Sequence, residues 1–322
     1  MSDDASASVP SPEKQKVVDV APPKQVRVVS ASSSVPSRIK EIWRCRELLL
    51  NLVSTEIKVK YKNSSLGLLW SMVAPATTLA IYWLVFGLVL KNGIPHFAIY
   101  LFSGIVFWNF FQTGVQTATG VVVQQAGIVK KVAFPREILA IAAVGTAAVY
   151  MFFQAIVLIL FMIVVGNAPA WNLLPLLIPA LLAAALISVA LGIALSAVNV
   201  YLRDMQHLME VVMMAWFWAC PIVYSFWHSI YPHTDQHGLT WVYLLNPMTP
   251  IILTVQRVIY AHPVVHLTTD TANPHSLTQL LPPWPATSYL WMDLALIVVG
   301  LAATYGALAI FGRLEGNFAE EL

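Results

Sequence analysis

The chain has 322 residues, of which 58% are hydrophobic and only 11% charged, with a net charge of +2. Soluble domains carry about 25% charged residues, so this composition excludes an ordinary water-soluble globule. Its long apolar runs are candidate bilayer crossings, each needing roughly 20 residues. The near-neutral balance argues against a nucleic-acid partner.

Residues 1–37 are rich in Ser, Pro, Val and Lys and lack a continuous apolar core. They read as a solvated, disordered cytoplasmic tail and not as a signal peptide. Residues 38–67 are too charged to cross a bilayer, yet Ile42, Cys45, Leu49 and Leu52 recur at helical spacing, flanked by Arg44, Arg46, Lys58, Lys60 and Lys62. That pattern fits an amphipathic helix in the membrane interface, basic residues near anionic headgroups. A plain juxtamembrane anchor fits equally.

Six spans follow, at 68–90, 97–123, 138–165, 173–201, 208–227 and 289–311. None carries a charge at its middle; Glu210 and Asp293 fall near span ends. Pro75, Pro175, Pro179 and Pro221 lie within or near spans, which a bilayer bundle tolerates. The expected fold class is therefore an all-α membrane protein with six transmembrane helices.

The cations orient it. Eleven of the 18 Lys and Arg residues precede Leu68, three (Lys130, Lys131, Arg136) lie in the second connection, and Arg203 and Arg313 follow on the same side; only Lys91 and Arg257 lie opposite. The positive-inside rule then puts both termini in the cytoplasm. Residues 313–322 form the cytoplasmic C-terminal tail. The outer segment 228–288 contains an apolar, Pro-bounded piece, 241–260, too irregular to cross, which suggests a re-entrant or interfacial hairpin; 261–285 reads as an exposed loop.

No Gly-x-x-x-x-Gly-Lys-Ser/Thr loop occurs, so any ATP hydrolysis belongs to another polypeptide. The spans lack the buried charges that ion-coupled carriers use. Seven of the eight histidines fall outside but offer no ligand pair on one helix face, so no metal site is expected. Cys45 and Cys220 lie in unlike settings and suggest neither disulfide nor metal. Aromatics crowd 107–111 and 216–227. Most suit an interfacial belt, while Trp216 and Trp218, nearer mid-span, keep open a sugar-stacking surface. The connection QQAGIVKKVAFPRE (124–137) is a basic elbow with one aromatic knob, open to reading as a positive-inside stop or as a docking site.

Four stretches in order resemble the ABC-2 type permeases that export lipid-linked polysaccharides. They are EIKVKYKNSSLGLLW (56–70) with Pro75; GIVKKVAFPREIL (127–139); Arg203-Asp204 with FWACPIVYS (217–225) and LLNPMTPII (244–252); and FGRLEGNFAEEL (311–322). Thr55 and Cys220 depart from the family pattern, and the 261–285 loop is longer than the family's.

The resemblance implies a homodimer joined to two copies of an ABC ATPase subunit, in the inner membrane. Cofactors would be none on this chain, with ATP and Mg on the partner. It implies that 38–67 is an interface helix over the ATPase, carrying Trp43, Arg46, Glu56, Lys58, Lys60, Tyr61 and Lys62. The elbow would be the ATPase-coupling helix, through Lys130, Lys131, Phe134, Pro135, Arg136 and Glu137. A glycan conduit would form between spans one, two and five, with Trp108, Phe111, Trp216, Trp218 and Tyr224 on its wall, and 241–260 as the outer gate. The cargo would be a polyprenyl-diphosphate-linked glycan, leaning towards cell-wall galactan. The alternatives are a membrane-bound glycosyl- or phospho-transferase on the same carrier, and an ABC-2 exporter of a small drug or lipid.

Overall fold

The computed structural model describes residues 34–62, 64, 67–89, 94–132, 134–266 and 277–322. The expected tail therefore lies almost wholly outside the described residues, as does the middle of the 261–285 loop.

Where one amphipathic helix was expected, there are two, α1 (Val35–Arg44) and α2 (Arg46–Lys60). Pro36 is tolerated in the first turn of α1, where its missing N–H would have no partner anyway. Cys45 ends α1 at φ −90° and ψ 17°. The stripe Ile42, Cys45, Leu49 and Leu52 is partly buried, as its spacing predicts, while Trp43 and Leu50 stay exposed.

The apolar body begins with α3 (Trp70–Tyr82), which continues as a π-helical stretch, Trp83–Val89. Then come α4 (Phe97–Gln124), the short α5 (Ala126–Val129) and α6 (Glu137–Val165). Gly166, at φ 79°, ends α6 in the left-handed conformation that glycine adopts freely. A 3-10 turn leads into α7 (Leu177–Tyr201), followed by α8 (Met205–Trp218). Three short helices come next: α9 (Tyr231–Asp235), α10 (Thr240–Leu244) and α11 (Met248–Ile259). A two-stranded antiparallel ribbon, β1 (Val264–His266) with β2 (Leu277–Gln279), pairs Val265 with Thr278. The long α12 (Ala286–Leu314) and the terminal α13 (Phe318–Glu321) close the chain.

Helix α4 is the central post, packed between α6 and α7, and α12 lies on α7. Small residues set these distances, as is usual where bilayer helices pack closely. A Cβ on Gly192 of α7 would come within 2.7 Å of Ala118 of α4, and one on Gly300 of α12 within 2.8 Å of Leu186 of α7.

Among the described residues, five helices are long and apolar enough to cross a membrane: Trp70–Val89, Phe97–Gln124, Glu137–Val165, Trp171–Tyr201 and Ala286–Asn317. The expected fifth span, 208–227, is not one helix. It stops at Trp218, after 14 residues or about 21 Å, short of a ~30 Å hydrocarbon core. Pro221 is the cause: it lacks an N–H and drives Cys220 away from the helical region. The Ser225 hydroxyl accepts from the His228 N–H at 3.2 Å and starts a new turn beyond the break. Helix α11 is also too short to cross, at 12 residues, yet ten of them are buried against the bundle.

Candidate functional site

From Phe97 to Val122 every residue of α4 is buried except five: Asn109, Gln112, Thr113, Gln116 and Thr117. Their spacing, i, i+3, i+4, i+7 and i+8, makes one stripe along the helix. All five are uncharged and polar. A lipid-facing stripe would be apolar, because an amide left without partners in hydrocarbon costs several kcal/mol by order of magnitude.

Helix α8 lies antiparallel beside this stripe. A Cβ on Gly120 would meet the Gln206 amide at 2.7 Å, and the Trp108 ring meets Phe217 edge-on at 5.8 Å, so residue numbers rise on one helix as they fall on the other. Between them opens a cleft of about 370 Å³. Its lining joins Tyr82 of α3, Trp108, Asn109, Gln112 and Gln116 of α4, and Glu210, Met213, Phe217 and Trp218 of α8. Within it the Trp108 Nε1–H donates to Gln112 Oε1 at 2.8 Å, and the Asn109 amide donates to Gln154 Oε1 of α6 at 2.9 Å. Rings gather at one end of the cleft. Glu210 stands at the other, 3.7 Å from the exposed His207.

The five aromatics expected on a conduit wall divide. Trp108 and Trp218 line the cleft, Trp218 being 62% exposed. Phe111 is fully buried behind it, with Trp216 edge-on at 5.2 Å. The Trp216 Nε1–H donates to Asn246 Oδ1 at 2.9 Å, tying α8 to the short helices. Tyr224 donates to the Trp218 carbonyl and meets the Tyr243 hydroxyl, each at 2.8 Å, away from the cleft. Phe217 and the polar stripe were not among the expected residues.

The elbow end carries a second polar cluster, of opposite character. Arg38 of α1 is buried, and its guanidinium pairs with Glu137, at the start of α6, and with Glu315, at 2.8 Å. Burial works against the Arg38 charge; the two carboxylates outweigh it and hold its pKa above the ordinary value. Gly312 makes room, since a Cβ there would come 3.0 Å from the guanidinium. Arg136 donates to the Glu315 carbonyl at 3.1 Å and lies 5.7 Å from the Phe318 ring centroid. The Tyr201 hydroxyl donates to the Leu314 carbonyl at 2.6 Å. Thus α1, the elbow, α7 and the chain end form one knot.

The expected coupling residues divide accordingly. Glu137 is fully buried, Phe134 packs on the core, and Pro135 and Arg136 are half-buried. Lys130 and Lys131 point outward, together with Ile128 and Val132, which are 44% and 54% exposed.

Of the interface-helix residues, Trp43, Arg46, Lys58, Lys60 and Lys62 are exposed. Helix α2 climbs alongside α6: a Cβ on Gly145 would meet Val53 at 3.1 Å, Thr146 donates to Glu56 at 2.6 Å, and the Lys60 amine lies 4.0 Å over the Tyr150 ring. Tyr61 accepts from the Ser71 hydroxyl at 2.5 Å. Three lysines therefore cluster where α2 ends and the first span is about to begin.

Residues 47–260 match the family described as ABC-2 type transporter. The chain is 28% identical over 225 residues to the O-antigen export system permease protein RfbA of Myxococcus xanthus, covering 70% of this chain and 84% of that protein. It is 25% identical over 276 residues to the O-antigen export system permease protein RfbA of Klebsiella pneumoniae, covering 86% and 95%. A family match across most of the chain, on a bundle with several membrane-length apolar helices, makes this multi-pass membrane protein a member of the ABC-2 type transporter family.

Proposed function

We propose that this chain is the transmembrane permease subunit of an ATP-driven exporter that moves a polyprenyl-diphosphate-linked polysaccharide from the cytoplasm across the inner membrane. The observation that carries the reading is the cleft between α4 and α8. A cleft that sets the amides of one helix beside aromatic rings presents the surface a sugar chain needs: flat apolar faces for the ring and polar groups for the hydroxyls. The relatives named for O-antigen export support the same cargo class. Cell-wall galactan is the narrower form of the proposal.

In this reading both termini are cytoplasmic, and α8 with the short helices after it makes the sixth crossing. Helices α10 and α11 act as the outer re-entrant gate, buried in protein as non-spanning backbone at that depth must be. Two copies assemble so that α3 and α8, whose open faces include Val73, Ile81, Leu208, Val211 and Met214, close the passage between them. Lys58, Lys60 and Lys62 receive the diphosphate head at the cytoplasmic leaflet. Two ATPase subunits, holding ATP and Mg, seat against the elbow. Lys130, Lys131, Ile128 and Val132 make that contact. Arg136 and Glu137 stiffen the elbow from within, and the knot passes its movement to α1 and α6.

The test is depletion of the chain in its host, followed by extraction of lipid-linked glycans and purification of the tagged complex. A polyprenyl-linked polymer accumulating inside, with a P-loop ATPase co-purifying, is expected; a galactose-rich polymer fixes the narrower form. Lys130→Glu with Lys131→Glu should release the ATPase while leaving the permease folded. No accumulation of any lipid-linked glycan would overturn the proposal.

A further inference from the structure

The α4 stripe and Glu210 carry more than the existence of a passage. The cleft lining contains one acidic side chain, Glu210, and no Lys or Arg. The register pairs Glu210 with Gln116, at the end nearer the elbow, while the rings of Trp108, Phe217 and Trp218 lie towards the other end. Along α8, Glu210 precedes Trp218 by eight residues, about 12 Å of rise. A polymer entering from the elbow end meets the carboxylate before it meets the rings. A phosphate or uronate there would face a like charge. A hydroxyl would find acceptors and donors at successive turns of α4, none strong enough to hold it.

We propose that Asn109, Gln112 and Gln116 form a rail for an uncharged glycan, and that Glu210 is a charge filter that turns polyanionic polymers away. This rests on the proposed export function and deepens it by naming the cargo's charge class and the residue that sets it. The amides bond sugar hydroxyls along the polymer with near-equal strength, so the chain slides without a deep trap. The filter acts on the sugar chain alone, because the diphosphate head is met earlier, at the α2 lysines.

The test uses the full chain with its ATPase partner in membrane vesicles of both orientations, carrying Cys45→Ser and Cys220→Ser. Gln112→Cys and Gln116→Cys, both half-buried on the cleft wall, are labelled with cationic trimethylammonioethyl and anionic sulfonatoethyl methanethiosulfonate. Rates are normalised to those with free 2-mercaptoethanol. Both sites should react, the cation faster by on the order of tenfold, the ratio one nearby charge imposes on oppositely charged reagents in water. Glu210→Gln should bring the ratio close to one. Malto-oligosaccharide should slow labelling, and its sulfated counterpart should not until Glu210 is neutralised. Silence at both cysteines while a Lys131→Cys control reacts would overturn the rail. Equal rates, a ratio indifferent to Glu210→Gln, absent protection, or equal protection by the sulfated sugar would overturn the filter. Labelling needs no native cargo. A failure here with lipid-linked glycan still accumulating on depletion therefore sinks this inference alone; accumulation failing while labelling succeeds sinks the exporter reading alone.

Discussion

The α4 stripe and the Arg38 knot are both polar clusters in a chain that is mostly apolar, and they are built in opposite ways. In the knot every charge is answered from within: Arg38 by two carboxylates, Arg136 by the Glu315 backbone and the Phe318 ring. Along the stripe, the side chains that reach the surface are uncharged, and Asn109, Gln112 and Gln116 open into a cleft with Glu210 opposite. A polar group that is buried and partnered holds helices in register. A polar group exposed on a bilayer helix otherwise packed all round is kept for something that is not part of the chain.

The sharpest way to break this contrast is Arg38→Met. It leaves Glu137 buried without its partner, a loss of about 3–5 kcal/mol for one member of a buried ion pair. Thermal unfolding in detergent should show a large fall in Tm. Adding Glu137→Leu and Glu315→Gln should recover most of it, because replacing a whole buried ionic cluster by apolar groups is often close to neutral. If the single substitution left Tm unchanged, the knot would not be a structural tie.

How much of this was legible in the sequence depended on the range of the signal. Runs of apolar residues announced α3, α4, α6, α7 and α12, because a crossing needs only length and composition. The break at Pro221 was hidden inside a run whose hydropathy continues to Trp227; the proline was visible, but the bilayer's tolerance for proline masked its effect. The knot could not be seen, since Arg38 and Glu137 are 99 residues apart and no local pattern joins them. The stripe was present as Asn109, Gln112, Thr113, Gln116 and Thr117 at helical spacing, but the crowd of rings around it drew the reading to Trp108 and Phe111. Phe111 is fully buried against Trp216, and the amides of Asn109, Gln112 and Gln116 line the cleft.

A finer cut comes from comparing Trp216→Phe with Gln116→Ala. The first keeps the ring against Phe111 and removes only the N–H that reaches Asn246 Oδ1, which still accepts from the Met248 N–H at 3.1 Å. A cost of about 1 kcal/mol is expected for that bond, with export little changed. Gln116→Ala, on the open stripe, should leave stability within about 0.5 kcal/mol and slow export. The reverse pattern, export tracking Trp216 and indifferent to Gln116, would move the passage off α4.

The smallest expected effect lies at the far rim, where His262 stands between the two classes. The residue is exposed, yet one ring nitrogen is 2.9 Å from Asn167 Oδ1, as in an internal tie, and the ring can also take up a proton. Burial first, and then the neighbouring His96 ring at 6.2 Å, hold its pKa below the ordinary histidine value. Folding therefore favours the neutral ring and the unfolded chain binds the proton more readily, so the stabilising contribution is complete above the unfolded pKa, near 6.5. It declines as pH falls from there through the folded pKa. Between pH 7.5 and 5.5 the segment around His262 should loosen slightly, seen as faster hydrogen exchange at Tyr260 and Ala170, the latter bonded to Val258 in the backbone. His262→Gln, which keeps a donor for Asn167 and cannot be protonated there, should flatten that dependence and leave the cleft and the knot untouched. An unchanged pH response in His262→Gln would rule His262 out as the source of that dependence.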